Sequence, residues 1–187
     1  MEINKYLETL HLINGLKDTT RHCYTPGGRH ESVAEHSWRI TMMAYLVSDE
    51  FPEADMNKVM KMCLIHDIGE VFTGDIPSFY KTENDEAKEE SLLTNWVNSL
   101  PEPFKSEFSA LYEEMGALET TEAKIYKAMD NLEAVISHNE SDLSTWIEKE
   151  YTLNRTYGND KVAFSEYLTK FRELVREETD KKIADGR

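Results

Sequence analysis

The chain has little cysteine. Cys23 and Cys63 are its only two in 187 residues, and they lie far apart in no metal-ligand spacing. A lone distant pair offers neither a disulfide framework nor a thiolate zinc cluster, and so few thiols suit a reducing cytoplasm, the expected location. Long apolar runs are missing as well. The longest, such as Ile40 to Val47, falls far short of the roughly 20 residues that a membrane span needs. Positive charge is scarce: 21 Lys and Arg against 36 Asp and Glu leave a net charge of −15. Such a surface repels phosphate backbones and anionic lipid, so no polymeric nucleic acid and no membrane is expected as a partner. A small phosphate ester stays open, because a bound metal and one or two bases can reverse the field inside a cleft. The start, Met1-Glu2-Ile3-Asn4-Lys5, lacks the basic and then apolar pattern of a secretory signal.

Few prolines and glycines leave room for helices, and the dominant period is helical. Ile3, Leu7, Leu10 and Ile13 recur at three- and four-residue steps on one face of a first helix that ends near Gly15. Residues 18–30, with Pro26-Gly27-Gly28, read as a loop. Ser32-Val33-Ala34-Glu35 matches a capping box and opens a second helix toward Glu50. Asp55 caps a third helix that carries Met62, Cys63, Leu64, Ile65 and Ile68 and frays near Phe72. Residues 73–82 form a loop, and helices follow over 85–100, from 103 to about 116, and from Thr120 or Thr121 through Ser137. The remainder, 143–153 and 160–183, is helical with a break near Gly158. No strand of useful length is expected. The reading is an all-α, single-domain bundle of about seven or eight helices over 1–187. Its metal-site core is expected over about 5–140, with C-terminal helices from 141 packed on it.

The chemistry concentrates at His66-Asp67, inside an apolar stretch, with Glu70 one turn further on. Residues three and four apart share a helix face, so the three form one polar cluster on an otherwise buried element. A buried carboxylate without a partner costs several kcal/mol, on the order seen for buried ions. No base on that helix is placed to help. A divalent metal would resolve the conflict, and a nitrogen-plus-carboxylate donor set suits Mn, Fe, Co, Ni or Zn rather than a soft ion. His36, early in the second helix, and Asp130, which interrupts the stripe Ile125, Ala128, Met129, Leu132, are the remaining candidates. Blander readings stand beside these. His66 could be a satisfied core histidine, Asp130 a surface ion pair with Lys127 or Lys124, Arg21 a solvated loop residue, and Asp75 a turn former.

A single His, a later His-Asp doublet and a distant Asp resemble the pattern of the HD-domain superfamily. The stretches Glu31-Ser32-Val33-Ala34-Glu35-His36-Ser37, His66-Asp67-Ile68-Gly69-Glu70-Val71-Phe72-Thr73-Gly74-Asp75-Ile76-Pro77 and Lys127-Ala128-Met129-Asp130 are similar to its 5′-deoxynucleotidase branch. That resemblance implies a helical domain, commonly a homodimer, that holds one divalent ion (Co, Mn, Fe, Ni, Zn or Mg). It implies hydrolysis of deoxynucleoside 5′-monophosphates, so the expected partner is a small nucleotide. Carried over, the metal ligands are His36, His66, Asp67 and Asp130. Arg21 contacts the phosphate, Glu70 assists proton transfer, and Asp75 contacts the sugar or positions the nucleophile. His22 stands where the bacterial relatives carry a tryptophan in the sugar pocket, which leaves sugar choice open at a substrate-binding position. The cyclic-dinucleotide branch carries a lysine where this chain has Glu70. Triphosphate cleavage, a non-catalytic nucleotide or metal sensor, and a helical scaffold with an internal salt-bridge network are the competing readings.

Overall fold

The computed structural model describes residues 1–77 and 79–186. Among them, seven helices of ten residues or more carry the architecture: α1 (Ile3–Ile13), α2 (Val33–Leu46), α3 (Met56–Ile65), α5 (Glu83–Asn98), α6 (Phe104–Ala117), α7 (Thr121–Glu140) and α10 (Glu166–Asp185). Three single-turn helices lie between them: α4 (Glu70–Thr73), α8 (Glu150–Leu153) and α9 (Asn159–Val162). The helical class matches the expectation. Residues 73–82 are non-helical as far as Glu83 except for the end of α4, and Ser78 lies outside the described residues.

The helix starts follow local chemistry. Ser32 accepts from the Glu35 N–H while the Glu35 carboxylate accepts from the Ser32 N–H, which satisfies two of the orphan donors at the head of α2. Asp55 caps α3 through the Lys58 N–H, and Thr120 caps α7 through the Ala123 N–H. The core is the seam where α2, α3 and α7 meet, filled by Val33, Ile40, Val59, Met62, Ile125, Met129 and Leu132, all essentially without solvent exposure. Each such side chain stabilises the fold by roughly 1.5–3 kcal/mol relative to exposure. Trp96, Val97, Leu111 and Met115 extend the core under α5 and α6. On the other side α10 packs on α7 through Leu168 and Val175, fastened by Arg172, whose guanidinium donates to the carbonyls of Tyr157 and Asn154.

Two expectations need correction. The loop over 18–30 is in part a small antiparallel hairpin, β1 (Thr20–Tyr24) and β2 (His30–Ser32), with Thr20 opposite Ser32 and Tyr24 opposite His30. The Pro26-Gly27-Gly28 stretch is its turn. Second, α3 does not run to Phe72. Its last carbonyls are taken by side chains: Tyr112 Oη donates to the Ile65 carbonyl at 2.6 Å, and His66 Nδ1 lies 2.9 Å from the Cys63 carbonyl oxygen. The chain then tightens into i→i−3 bonds, Ile68 N–H to Ile65 and Glu70 N–H to Asp67, before α4 begins. In α1, Ile3, Leu7 and Leu10 are exposed, and only Ile13 of that stripe rests on the core.

Candidate metal centre and its cavity

The break after Ile65 positions the doublet. His66 caps α3, and Asp67 sits in the turn that follows, facing α2 and α7. His36 comes from the first turn of α2, and Asp130 from the middle of α7. These four residues, separated by up to 94 positions, meet: His36 Nε2 lies 3.2 Å from both His66 Nε2 and Asp130 Oδ1. Asp67 Oδ2 is 2.8 Å from His66 Nε2 and 3.7 Å from His36 Nε2, and Asp130 Oδ1 is 3.8 Å from His66 Nε2. Donors sharing an ion at about 2.0–2.2 Å stand roughly 3–3.5 Å apart, so these separations suit a common cation. One atom each of His36, His66 and Asp67 lies within 4.8 Å of the others. Asp130 approaches both imidazoles but stands outside that closed trio, and Lys127 Nζ donates to its second oxygen at 2.7 Å.

The donor chemistry tests whether a metal fits. Both rings have Nδ1 occupied, His36 by the Glu133 carboxylate at 2.5 Å and His66 by the Cys63 carbonyl. Their Nε2 atoms therefore face one another, and two lone pairs at 3.2 Å need a positive charge between or beside them. A proton meets the need in the metal-free protein. Burial and Arg21 push the His36 imidazole down, but the Glu133 and Asp130 carboxylates outweigh them and lift it to about 9. Asp130 stays a carboxylate against the pull of burial, because Lys127 and the imidazoles hold it well below the usual range. A divalent cation serves the same electrostatic purpose with better complementarity to two aspartates. The residues fit the ion.

The other expected site residues line one cavity of about 310 Å³ with His36, Asp67 and Asp130 of this cluster. Arg21 and His22 lie on β1, and Asp75 follows Gly74, whose φ of 78° is a left-handed value that favours glycine. The Asp75 carboxylate accepts from the His22 backbone N–H, which fastens the 73–77 segment to the hairpin. Burial pushes Asp75 up, with Arg21 opposing and Asp67 adding. Burial pushes Glu70 further, to about 10, with Asp67, Asp75 and Glu89 adding their negative charge, and its Oε2 is buried without a partner among the described residues.

Arg21 departs from the picture of a solvated loop residue. Its side chain is only 11% exposed, and its Nη1 donates to Glu31 at 2.6 Å and to Glu133 at 3.0 Å. Sequence reasoning missed Glu31 and Glu133, although Glu133 lies three residues after Asp130 in the same apolar stripe, which is the kind of interruption that drew attention to Asp130. His138 lines the cavity, and its Nε2 and that of His22 lie 3.3 and 3.1 Å from Glu150 Oε1.

This is a helical fold with a His/Asp cluster facing an arginine across a cavity, and the HD-domain pattern matches it over residues 13–172. The chain belongs to the HD-domain family, a family of metal-dependent phosphohydrolases. It is 29% identical over 138 residues to human 5′-deoxynucleotidase HDDC2, covering 72% of this chain and about two thirds (67%) of that protein. A shorter stretch of 66 residues, 30% of this chain and 34% of the relative, is 36% identical to a dATP triphosphohydrolase of Salmonella phage PMBT28. Among solved structures, a predicted metal-dependent phosphohydrolase of Magnetospirillum magnetotacticum superposes with a TM-score of 0.78 at 28% identity, covering 95% of this chain and 94% of that one. No helix among the described residues is long and apolar enough to cross a membrane.

Proposed function

We propose that this protein is a metal-dependent phosphomonoesterase that removes the 5′-phosphate of deoxynucleoside monophosphates, with His36, His66, Asp67 and Asp130 as metal ligands. The observation that carries the reading is the shared cavity, which His36, Asp67 and Asp130 line together with Arg21, Glu70 and Asp75. Its volume lies at the small end of the roughly 300–1,000 Å³ of small-molecule sites, which suits a nucleotide and not a polymer. The likeness to the human 5′-deoxynucleotidase supports the substrate class.

A divalent ion bound there would polarise the phosphoryl group and acidify a water. The chain's own groups do the rest. Arg21, anchored through Nη1, keeps Nη2 and Nε for two phosphate oxygens, a fork that matches their geometry. The attacking water forms the new P–O bond and gives a proton to Asp75. The P–O5′ bond breaks, and Glu70, whose burial favours the protonated form, gives its proton to O5′ so that the nucleoside leaves as an alcohol. His22 lines the leaving-group side, held beside Glu150.

Triphosphate cleavage is a second reading, favoured by the phage relative. The cavity's cations speak against it: Arg21 pairs with Glu31 and Glu133, Lys81 with Glu89 at 2.9 Å, and Lys127 with Asp130. Little positive charge is left for two further phosphates. The test is phosphate release from deoxy- and ribonucleoside monophosphates, triphosphates and cyclic dinucleotides, each with Co, Mn, Fe, Ni, Zn and Mg. Release confined to monophosphates supports the proposal, and metal uptake with no release from any substrate would leave a binding module. A homodimer is part of the same reading. Trp38, Met42, Tyr45 and Leu46 are exposed along one side of α2, apolar surface that a second copy could cover. A monomer mass by sedimentation at micromolar concentration would remove that part.

A further inference from the structure

Glu133 lies on α7 with no solvent exposure, and separate groups converge on its carboxylate. Oε2 lies 2.5 Å from His36 Nδ1 and accepts from Arg21 Nη1 at 3.0 Å. Oε1 accepts from Ser137 Oγ at 2.5 Å, and Arg39 Nη1 stands 3.7 Å away. Glu31 takes the other bond from Arg21 Nη1. Glu31, His36 and Glu133 lie close enough together to resemble a second cation site. The Arg21 guanidinium already supplies the positive charge there, so the group is a closed ion network rather than a second metal centre.

From this geometry we propose that Glu133 is a positioning residue that sets both halves of the site at once. One carboxylate oxygen fixes the His36 ring through Nδ1, which leaves Nε2 for the cation. The same oxygen anchors Arg21 through Nη1, and Nη2 and Nε, which have no protein partner among the described residues, remain for the phosphate. A ligating histidine whose outer nitrogen loses its carboxylate typically binds metal about 10–100-fold more weakly. An arginine anchored in advance loses less freedom when the anion arrives. Glu31 shares only the second of these tasks, since it touches Arg21 and makes no hydrogen bond to His36. The inference rests on the roles proposed above for His36 and Arg21.

Cobalt titration of the metal-free protein, read by the visible absorption of the bound ion, followed by inorganic phosphate titration of the cobalt-loaded protein, separates the two tasks. Glu133→Gln is expected to weaken cobalt binding by about 10–100-fold and to weaken phosphate binding as well. Glu31→Gln is expected to weaken phosphate binding alone. Cobalt affinity in Glu133→Gln within about twofold of wild type, or the same losses in both variants, overturns the proposal. If circular dichroism shows that Glu133→Gln does not fold, Ser137→Ala is read in its place. It strips the hydroxyl that holds Oε1, a few-fold fall in cobalt affinity is expected, and an unchanged affinity overturns the proposal. Wild-type protein that takes up no cobalt overturns the metal reading itself and this inference with it. Wild-type protein that binds cobalt and phosphate, beside an unaltered Glu133→Gln, removes the positioning role alone.

Discussion

Glu70 sits where negative charge is unwelcome, buried and ringed by Asp67, Asp75 and Glu89, so its carboxyl keeps a proton at neutral pH in the metal-free protein. A kinetic pair isolates its role. Asp67→Ala is expected to lose both cobalt binding and phosphate release, whereas Glu70→Gln keeps the metal and loses about 10²–10⁴-fold in kcat. Full turnover in Glu70→Gln would remove the proton-transfer step and leave the metal reading intact. The same residue shapes stability. Its folded pKa lies above the unfolded carboxylate value near 4.5, so the folded state binds more protons between that value and about 10. Unfolding free energy of the metal-free protein should therefore fall as pH rises through that window, and Glu70→Gln should flatten the fall. Urea unfolding at pH 5 and pH 9 compares the two slopes, and parallel slopes would contradict the assignment.

At the scale of elements, the segment between α8 and α10 comes closest to α7 at a glycine. Gly158 has φ 76°, and a Cβ there would stand 2.8 Å from Asn131 Cβ. Gly158→Ala is expected to destabilise by roughly 1–3 kcal/mol from backbone strain, with the collision added, as read from the urea midpoint. Element starts were legible in the sequence because capping is local: Ser32 with Glu35, Asp55 and Thr120 each announce a helix within four residues. Element ends were not. What stops α3 is a hydroxyl from Tyr112, 47 positions away, and a ring turned back on its own helix, neither of which leaves a period to read. The hairpin escaped for a related reason, since five residues paired with three are too short to show alternation. In the site, His66, Asp67 and Asp130 stood out as polar breaks in apolar stripes, whereas His36 was marked only by the family pattern. Glu133 made the same break, but its partners on α2 and β1 are visible only once the chain is folded.

At the scale of the molecule, the proposed ligands tie three helices to one point, so binding and folding are linked. A ligand present at about 100 times its Kd stabilises the folded state by about 2.7 kcal/mol. For a chain of this size that corresponds to a Tm higher by roughly 5–10 °C, because each kcal/mol is worth about 2–4 °C. Differential scanning with cobalt and then with excess EDTA measures it, and a Tm indifferent to chelation would argue for a helical scaffold with an internal ion network.

The far-flung origin of His36, His66, Asp67 and Asp130 has one more consequence. An ion gripped from α2, the end of α3 and α7 loses part of its hold whenever those helices part. Their amide hydrogens should therefore trade with deuterated solvent more slowly once cobalt is present, while those near the exposed end of α10, which reaches none of the four, keep their pace. Slowing spread evenly along the chain would mean that the ion is clasped elsewhere.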